Sequence, residues 1–320
     1  VTGILEMFYY IPVPERAAVS VQTITALIPF GALIRNLHFW SAQALVIVMS
    51  VHLLRVVLTG AYSSRRRLNY LIGLGMLVII LLLDFTGYVL RWDEGIRWAL
   101  IAGTNLLGSV PKIGAGLVRF VAGNIEPGPA MLIRFYAWHL FGLAILGGIV
   151  MIWHLFRVRR DGGIAAAKTI HREETKDAKD SQEKGEEDLI PQPTRISRAE
   201  LLRREVIAML VAGGVLLLFS TIFPAPIEQP MSSTLVSLAE TRAPWFFLWV
   251  QELLKVGDPF LWGVATPLIV LLLLALIPYL FPRVNESEIG RWFPRSGRAA
   301  QLFLAILLVT IITLTFLATR

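Results

Sequence analysis

Apolar stretches alternate along the chain with short basic or longer polar connections. A helix needs about 20 mostly apolar residues to cross a bilayer, and several stretches approach that length. The pattern predicts an all-α, polytopic transmembrane helix bundle of about seven spans, the first of them truncated. The predicted spans are residues 1–11, 32–58, 68–90, 132–156, 205–223, 260–281 and 299–318.

Three connections between the predicted spans are long. Residues 12–31 and 224–259 contain several prolines and are expected to form loops. Residues 91–133 carry too many apolar side chains for a free linker. They are expected to form short amphipathic helices lying on the membrane surface.

A charged segment sets the domain organisation. Residues 161–203 are rich in Lys, Glu and Asp and nearly lack large apolar side chains. This composition is typical of a solvated linker, here on the cytoplasmic side. The linker separates a four-helix part, residues 1–160, from a three-helix part, residues 204–320.

Positive charge marks one side of the membrane. Basic clusters follow the second, fourth and sixth predicted spans, at residues 65–67, 157–160 and 283–298. The positive-inside rule places these clusters on the cytoplasmic (n) side. The long connections 91–133 and 224–259 then face the opposite (p) side, so spans two and four run in the same direction.

The net charge and the cysteine count exclude several classes of protein. The net charge of +7 arises between apolar runs and gives no sign of nucleic-acid binding. No cysteine is present, which excludes disulfides, cysteine-ligated iron–sulfur clusters and thioether-attached haem within this sequence. The sequence starts inside an apolar segment without Met, so an N-terminal portion is expected to precede Val1.

Four of the five histidines lie on two of the predicted spans. His38 and His52 are 14 residues apart, and His139 and His154 are 15 apart. These spacings correspond to about 21–22 Å along a helix and keep each pair on nearly one face. Parallel spans then pair His38 with His139 near the p side and His52 with His154 near the n side. Two such bis-histidine metal sites are the arrangement that holds two haems.

The alternative for each histidine is a simple hydrogen bond to a neighbouring helix. Ionisable residues within a membrane are costly, however, and favour a function. Gly73 and Gly87 on the third span are also 14 apart, and Gly3 lies on the first span. Small residues let a flat ligand approach a helix backbone, although ordinary helix packing also uses them.

Each of three charged residues near these sites has two alternative roles. Arg35 and Arg134 each precede a p-side histidine and could pair with haem propionates. Both could instead extend to the membrane interface. Asp84 lies inside the third span, where a carboxylate needs a partner or a wet cavity. It serves either proton transfer or a hydrogen bond to a neighbour.

Several motifs of this chain resemble the cytochrome b subunit of quinol–cytochrome c oxidoreductases, the cytochrome bc complexes. The spacings of 14 and 15 resemble the chloroplast-type (bf) branch. The charged linker falls where that branch divides into cytochrome b and subunit IV, so the chain resembles the two fused. The motifs are Thr2-Gly3, Pro29-Phe30-Gly31, Leu33-Ile34-Arg35-Asn36-Leu37-His38, Arg55-Val-Val-Leu-Thr-Gly-Ala-Tyr62, Phe85-Thr-Gly-Tyr88 and Arg134-Phe-Tyr-Ala-Trp-His139.

The resemblance implies bifurcated quinol oxidation at the p side, electron transfer through two non-covalent b haems, quinone reduction at the n side and proton translocation. It implies a Rieske iron–sulfur protein, a c-type cytochrome subunit or acceptor, and a homodimeric complex. It also implies a multi-pass location in a prokaryotic cytoplasmic membrane. The p-side quinol pocket would comprise residues 85–93, 108–117 and 243–247.

The chain departs from the family at this pocket. The family's Pro-Glu-Trp-Tyr corresponds to Ala243-Pro244-Trp245-Phe246, which keeps the tryptophan but lacks the proton-accepting glutamate. Glu240, Glu252 and Asp84 are the candidates to replace it. Such departures favour a low-potential quinol such as menaquinone.

At the n side, Arg159 and Glu205 resemble the family's quinone-reduction site. Alternatively, Arg159 is only a positively charged anchor on the cytoplasmic side, and Glu205 is only a carboxylate that the helix dipole stabilises in the first turn of a helix. The chloroplast-type branch also carries a c-type haem attached to a cysteine of the first span. That position falls before Val1, so the cysteine count does not decide whether this haem is present.

Two other classes of function compete with this interpretation. A di-haem membrane anchor cytochrome b of a dehydrogenase or hydrogenase would share the histidines but usually lacks the three-helix part. A cofactor-free transporter or channel would be favoured by inverted repeats, and the sequence shows none. The presence of b-type haem bands in a visible spectrum excludes only the transporter.

Overall fold

The structure is a computed structural model that describes residues 1–162, 197–231 and 242–320. These ranges are helical, with a single β-bridge between Asp93 and Pro230. The predicted all-α class is confirmed. The α-helices are α1 (Thr2–Met7), α2 (Pro14–Leu27), α3 (Gly31–Leu58), α4 (Arg67–Val89), α5 (Glu94–Gly108), α6 (Gly114–Val121), α7 (Pro129–Ala137), α8 (Ala144–Asp161), α9 (Arg198–Ile222), α10 (Leu248–Leu254), α11 (Thr266–Leu280) and α12 (Arg298–Leu317).

Six helices of the described chain are long and apolar enough to cross a membrane. Helices α7 and α8 join into one of them through a π-helical turn at Trp138–Leu143. The six agree with the predicted spans two to seven, whereas α1 covers six residues of the predicted first span. They are Gly31–Leu58, Arg67–Val89, Pro129–Asp161, Ala199–Ile222, Phe260–Leu280 and Arg295–Leu317.

The prediction of a loop over residues 12–31 was wrong, because α2 occupies most of it. Pro14 stands in the first turn, where a helix does not need its N–H, and Glu15 complements the helix dipole there. Ala17, Val21 and Ile24 follow at spacings of four and three and are buried. The prolines therefore start this helix rather than exclude it.

Helices also form within the two long p-side connections. Helices α5 and α6 confirm the short helices predicted between spans three and four. Residues 224–259 were predicted as a loop, but they include the 3₁₀ turn Trp245–Phe247 and α10. Two turns of helix are too short to give a periodic signal in the sequence. Most of the predicted linker, residues 163–196, lies outside the described part of the chain.

Two apolar clusters hold the ends of the spans together. One includes Trp92, Ile96 and Met131 and joins α2, α4, α5 and α7 at the predicted p side. The other includes Tyr70 and Ile277 and joins α3, α4, α11 and α12 at the predicted n side. Packing at both ends therefore fixes the positions of the spans relative to one another.

Hydrogen bonds attach the C-terminal part to the start of α3. Asn36 Nδ2 donates to Ser220 O at 2.9 Å, and Asn36 Oδ1 accepts from Ala225 N at 2.9 Å. Arg35 Nη1 donates to Ala225 O at 3.1 Å. Because these groups are buried, breaking one bond leaves a polar atom without a partner, at a cost of about 1–3 kcal/mol. The contacts therefore fix α9 against the helix that carries His38.

Candidate functional site

A cavity of about 740 Å³ lies between α1, α3, α4 and the helix formed by α7 and α8. Its size falls within the range of cofactor and small-molecule pockets, about 300–1,000 Å³. His38 and His139 line it, together with Asp84 from α4. Pro244 and Trp245 of the C-terminal part close another wall, so both parts of the chain contribute to one site.

The rings of His38 and His139 lie close together at the wall of this cavity. Their centroids are 6.2 Å apart, and the ring planes are inclined by 80°. Each histidine is about 100 residues from the other in sequence, and each is presented by a different span. The parallel direction of these two spans, predicted from loop charge, brings the two rings together.

Both rings are held through the Nδ1 atom. Thr2 Oγ1 lies 3.1 Å from His38 Nδ1, and Thr86 Oγ1 lies 3.0 Å from His139 Nδ1. His139 Nδ1 is also 3.1 Å from Leu83 O, a carbonyl that can only accept, so this nitrogen carries the proton. A proton on Nδ1 leaves the Nε2 lone pair free to bind a metal, and such partners orient metal-binding histidines.

Glycines face three of the four histidines. A Cβ on Gly3 would lie 3.0 Å from His38 Cε1, and a Cβ on Gly87 would lie 2.8 Å from His139 Cε1. The corresponding distance from Gly73 to His154 Cε1 is 3.2 Å. The glycines therefore make room for the imidazoles themselves, a closer relation than the contact with a haem edge expected from sequence.

The second histidine pair lies further along the same helices. His52 lies close enough to His154 for their charges to interact. The ring of His154 interacts with the backbone of Asn69, as the ring of His139 does with the backbone of Leu83.

The two arginines expected near haem propionates have different surroundings. Arg35 is buried, lines the cavity and binds the carbonyls of Ala225 and Pro226. Arg134 donates to Arg119 O at 2.6 Å and to Phe120 O at 2.7 Å, at the end of α6. Arg134 does not line the cavity. Only Arg35 therefore has a place beside the paired rings.

Of the candidate proton acceptors, Asp84 lies in the cavity. Gln43 Nε2 donates to Asp84 Oδ1 at 2.8 Å, and Trp245 Nε1 donates to Gln43 Oε1 at 2.8 Å. Glu252 pairs with Lys255 on the surface of α10 and does not line the cavity. Glu240 lies outside the described residues.

Other parts of the predicted p-side pocket are only partly assembled. Phe85 contacts Phe247 with ring centroids 6.0 Å apart, as expected for a pocket made from α4 and residues 243–247. None of residues 108–117, all of which the structure describes, lines the cavity. At the n side, Arg159 and Glu205 are exposed, and no ion pair joins them in the described chain.

Sequence reasoning missed Gln43 and Glu6. Gln43 lies five residues after His38 in an apolar span, and a polar side chain at that depth is itself a signal. Glu6 lines the same cavity, with its Oε1 atom buried and without a partner in the described chain. The predicted first span contains few residues, so the sequence did not show that Glu6 is a polar side chain within an apolar span.

The fold and the paired rings define a class, a multi-pass helical membrane protein with a histidine-lined cavity between its spans. The family model described as Cytochrome b(N-terminal)/b6/petB matches residues 43–230. Cytochrome b6 of Heliomicrobium gestii is 38% identical over 161 residues, which cover 50% of this chain and 76% of that protein. Cytochrome b6 of Heliobacterium mobile is 41% identical over 146 residues, or 46% and 68%.

A solved structure described as a hyperthermophilic respiratory Complex III has a similar fold, with a TM-score of 0.72. It is 20% identical, and the match covers 99% of this chain and 87% of that one. The family model matches more than half of the chain, so the chain belongs to the cytochrome b family. This confirms the resemblance read from the motifs, and family membership implies that the chain binds haem b.

Proposed function

We propose that this chain is the membrane cytochrome b of a quinol:cytochrome c oxidoreductase. It oxidises quinol in a bifurcated reaction at the p side, conducts electrons between two b haems, reduces quinone at the n side and translocates protons. Residues 1–160 hold the haems, and residues 204–320 complete the quinol site. Residues 161–203 connect the two parts in the cytoplasm.

The adjacent rings of His38 and His139 carry this proposal. A metal–imidazole bond is about 2.0–2.1 Å long, and a ring nitrogen lies about 1.1 Å from its ring centre. Two imidazoles bound to one metal atom would therefore have centroids at most about 6.2–6.4 Å apart. The rings of His38 and His139, with centroids 6.2 Å apart, satisfy this limit, which supports them as the ligands of one haem.

The remaining residues of the site also fit a haem. Gly3 and Gly87 keep space beside the rings that a side chain would fill. Arg35 places a buried cation at the cavity wall, where a propionate could pair with it. His52, His154 and Gly73 repeat the arrangement for the second haem, and Arg134 supplies positive charge near the p-side surface. Bound haem supplies one-electron chemistry at both sites.

The chain itself positions the other reactants. Trp245 lines the cavity and packs against Phe246, and its ring offers an apolar surface on which a quinol ring can lie. Arg159 and Glu205 are the proposed proton-handling residues of n-side quinone reduction. The departures in the Ala243-Pro244-Trp245-Phe246 motif support a low-potential quinol such as menaquinone.

The partners follow from the same proposal. Bifurcation requires a second one-electron acceptor at the p side, a Rieske iron–sulfur protein on another chain. A c-type cytochrome takes the electron onward. The whole is a homodimeric complex in a prokaryotic cytoplasmic membrane.

Substituting the proposed ligands tests this function. The purified complex should show two spectrally distinct b haems, and His52→Leu should remove one of them while His38→Leu removes the other. Loss of a ligand leaves an iron site with one protein ligand, which weakens haem binding. The measurement is a low-temperature reduced-minus-oxidised spectrum with a redox titration.

The control is Gln22→Leu, a change at a half-buried position of α2 that does not line the cavity. It should leave both haems in place. Two unchanged haems in both histidine variants would contradict the ligand assignment, and no b-type bands in the wild type would contradict the whole proposal.

A further inference from the structure

Three side chains form a hydrogen-bonded row at the wall of the histidine cavity. Trp245 donates to Gln43, and Gln43 donates to Asp84, each over 2.8 Å. An indole N–H can only donate, so the amide oxygen of Gln43 must face Trp245. Its NH₂ group must then face Asp84, whose oxygen accepts. The direction of the row is therefore fixed by chemistry and suits an ionised carboxylate.

We propose that Asp84 is the carboxylate that accepts a proton from quinol bound beside Trp245, at the wall of this cavity, with Gln43 and Trp245 as its positioning residues. This inference rests on the proposed function. Asp84 lines the same cavity as His38 and His139. Trp245 belongs to the segment that matches the family's quinol pocket, so the row connects that segment to an acid on another helix.

The proposed step conserves atoms and charge. Oxidation of a quinol to a quinone releases two protons and two electrons. One hydroxyl O–H bond breaks, and its proton forms a bond to a carboxylate oxygen of Asp84, which becomes a neutral acid. The other proton leaves to solvent at the p side. Two one-electron acceptors would take the electrons, namely the iron–sulfur protein of the proposed complex and the haem that His38 and His139 would hold.

The position of Asp84 also explains why it can remain in an apolar span. A carboxylate at that depth is costly unless it is hydrogen-bonded or has access to a cavity. Asp84 has both, because Gln43 binds one oxygen and the cavity reaches the side chain. After it accepts a proton, the neutral acid can still bind the Gln43 side chain. The site therefore tolerates both states of the reaction.

The other acids are less suited to this role. Glu6 lines the cavity, but no hydrogen bond joins it to Trp245 in the described chain. Glu252 forms an ion pair with Lys255 outside the cavity. Among the described candidates, only Asp84 is hydrogen-bonded to the tryptophan row.

The test compares Asp84→Asn with wild type in the intact complex. Quinol is supplied as decylubiquinol and, in parallel, as a short-chain menaquinol analogue, and the reduction of the b haems is followed by stopped flow. Loss of a general base is expected to lower the rate at saturating quinol by about 10²–10⁴-fold. The quinol KM should change little, and Asp84→Glu should restore part of the rate. Asp258→Asn, the same change at an exposed position, is the matched control.

Infrared difference spectroscopy gives a readout independent of turnover. Addition of quinol should produce a carboxylic acid C=O band in the wild type that is absent in Asp84→Asn. Gln43→Leu should lower the rate by about tenfold and shift this band without removing it, as expected for a positioning residue. An unchanged band in Asp84→Asn would overturn the assignment.

The outcomes separate this inference from the proposed function. A wild-type complex whose b haems are not reduced by either quinol would contradict the proposed function itself. An active wild type with Asp84→Asn within twofold of it would overturn only the role of Asp84, and a large loss in Glu6→Gln would transfer that role to Glu6. If Asp84→Asn fails to assemble, Gln43→Leu and Trp245→Phe decide. Wild-type rates in both of these variants would contradict the proposed role of the hydrogen-bonded row.

Discussion

At the scale of single residues, the site depends on glycines, which have no side chain. A Cβ on Gly87 would lie 2.8 Å from His139 Cε1, closer than carbon atoms normally approach. His139 cannot easily move away, because Thr86 and Leu83 hold its Nδ1 atom. One methyl group at this position therefore has to displace the ring or the helix.

Gly87→Ala should accordingly weaken or abolish the p-side haem while the n-side haem remains. The displaced ring no longer points Nε2 into the cavity, so the expected result is loss of one of two b-haem components in a redox-resolved visible spectrum. Second-layer changes around metal ligands typically cost about 10–100-fold in affinity.

Gly75→Ala is the matched control on the same helix, since a Cβ there meets no atom within 4 Å. Alanine is the better helix former, so this variant should keep both haems and be no less stable. Equal spectra for Gly87→Ala and Gly75→Ala would contradict the steric argument.

At the scale of elements, a tight corner joins α2 to α3. A Cβ on Gly31 would lie only 1.9 Å from Ile24 O, a backbone atom that cannot rotate aside. Phe30, just before the corner, has a positive φ of 60°, which few residues other than glycine adopt. The approach of α2 to α3 thus requires glycine, and it sets the position of the helix start that carries Arg35 and His38.

Gly31→Ala is expected to destabilise the protein by about 1–3 kcal/mol, the usual cost of overpacking. The apparent Tm of the purified complex in detergent should fall. Gly148→Ala serves for comparison, because no atom lies within 4 Å of its added Cβ. A Tm for Gly31→Ala equal to that of Gly148→Ala would show that the corner can open freely.

At the scale of the whole molecule, the orientation in the membrane follows from the basic loops. The absence of cysteine from the sequence makes this orientation easy to measure. Arg65→Cys and Glu126→Cys introduce single thiols at exposed positions on opposite sides. In intact cells a membrane-impermeant maleimide should label only Glu126→Cys, and Arg65→Cys should react after permeabilisation. The reverse pattern would invert the p and n assignments of both histidine pairs.

The two parts of the molecule are also expected to assemble without a covalent link. Asn36 binds Ser220 and Ala225, and Tyr70 donates to Leu274 O at 2.8 Å, so contacts join the parts near both ends of the spans. Co-expression of residues 1–162 and 197–320 as two chains should yield a complex that co-purifies and contains both haems. Asn36→Leu in that two-chain form should weaken the association, whereas separate migration without the substitution would contradict the domain proposal.

The sequence alone determined the helical class and six of the spans, and it predicted that His38 and His139, whose ring centroids are 6.2 Å apart, lie close together. These features follow from local rules, because apolar length sets a span, loop charge sets its direction, and a spacing of 14 or 15 sets the face. The same rules overlooked α2, because its prolines resemble a loop signal until the burial of Ala17 and Val21 is known.

Only the tertiary structure decided which polar residues share one cavity. Asp84, Gln43 and Trp245 are separated by about 40 and 160 residues, and no sequence spacing connects them. Their contact depends on how the C-terminal part packs against α3 and α4, which is a sum of many side-chain contacts. The tertiary structure also distinguished the two arginines that precede a histidine. Arg35 lines the cavity, whereas Arg134 binds the end of α6. Spacing along a helix fixes a face, whereas the partner of that face is set by packing between distant segments.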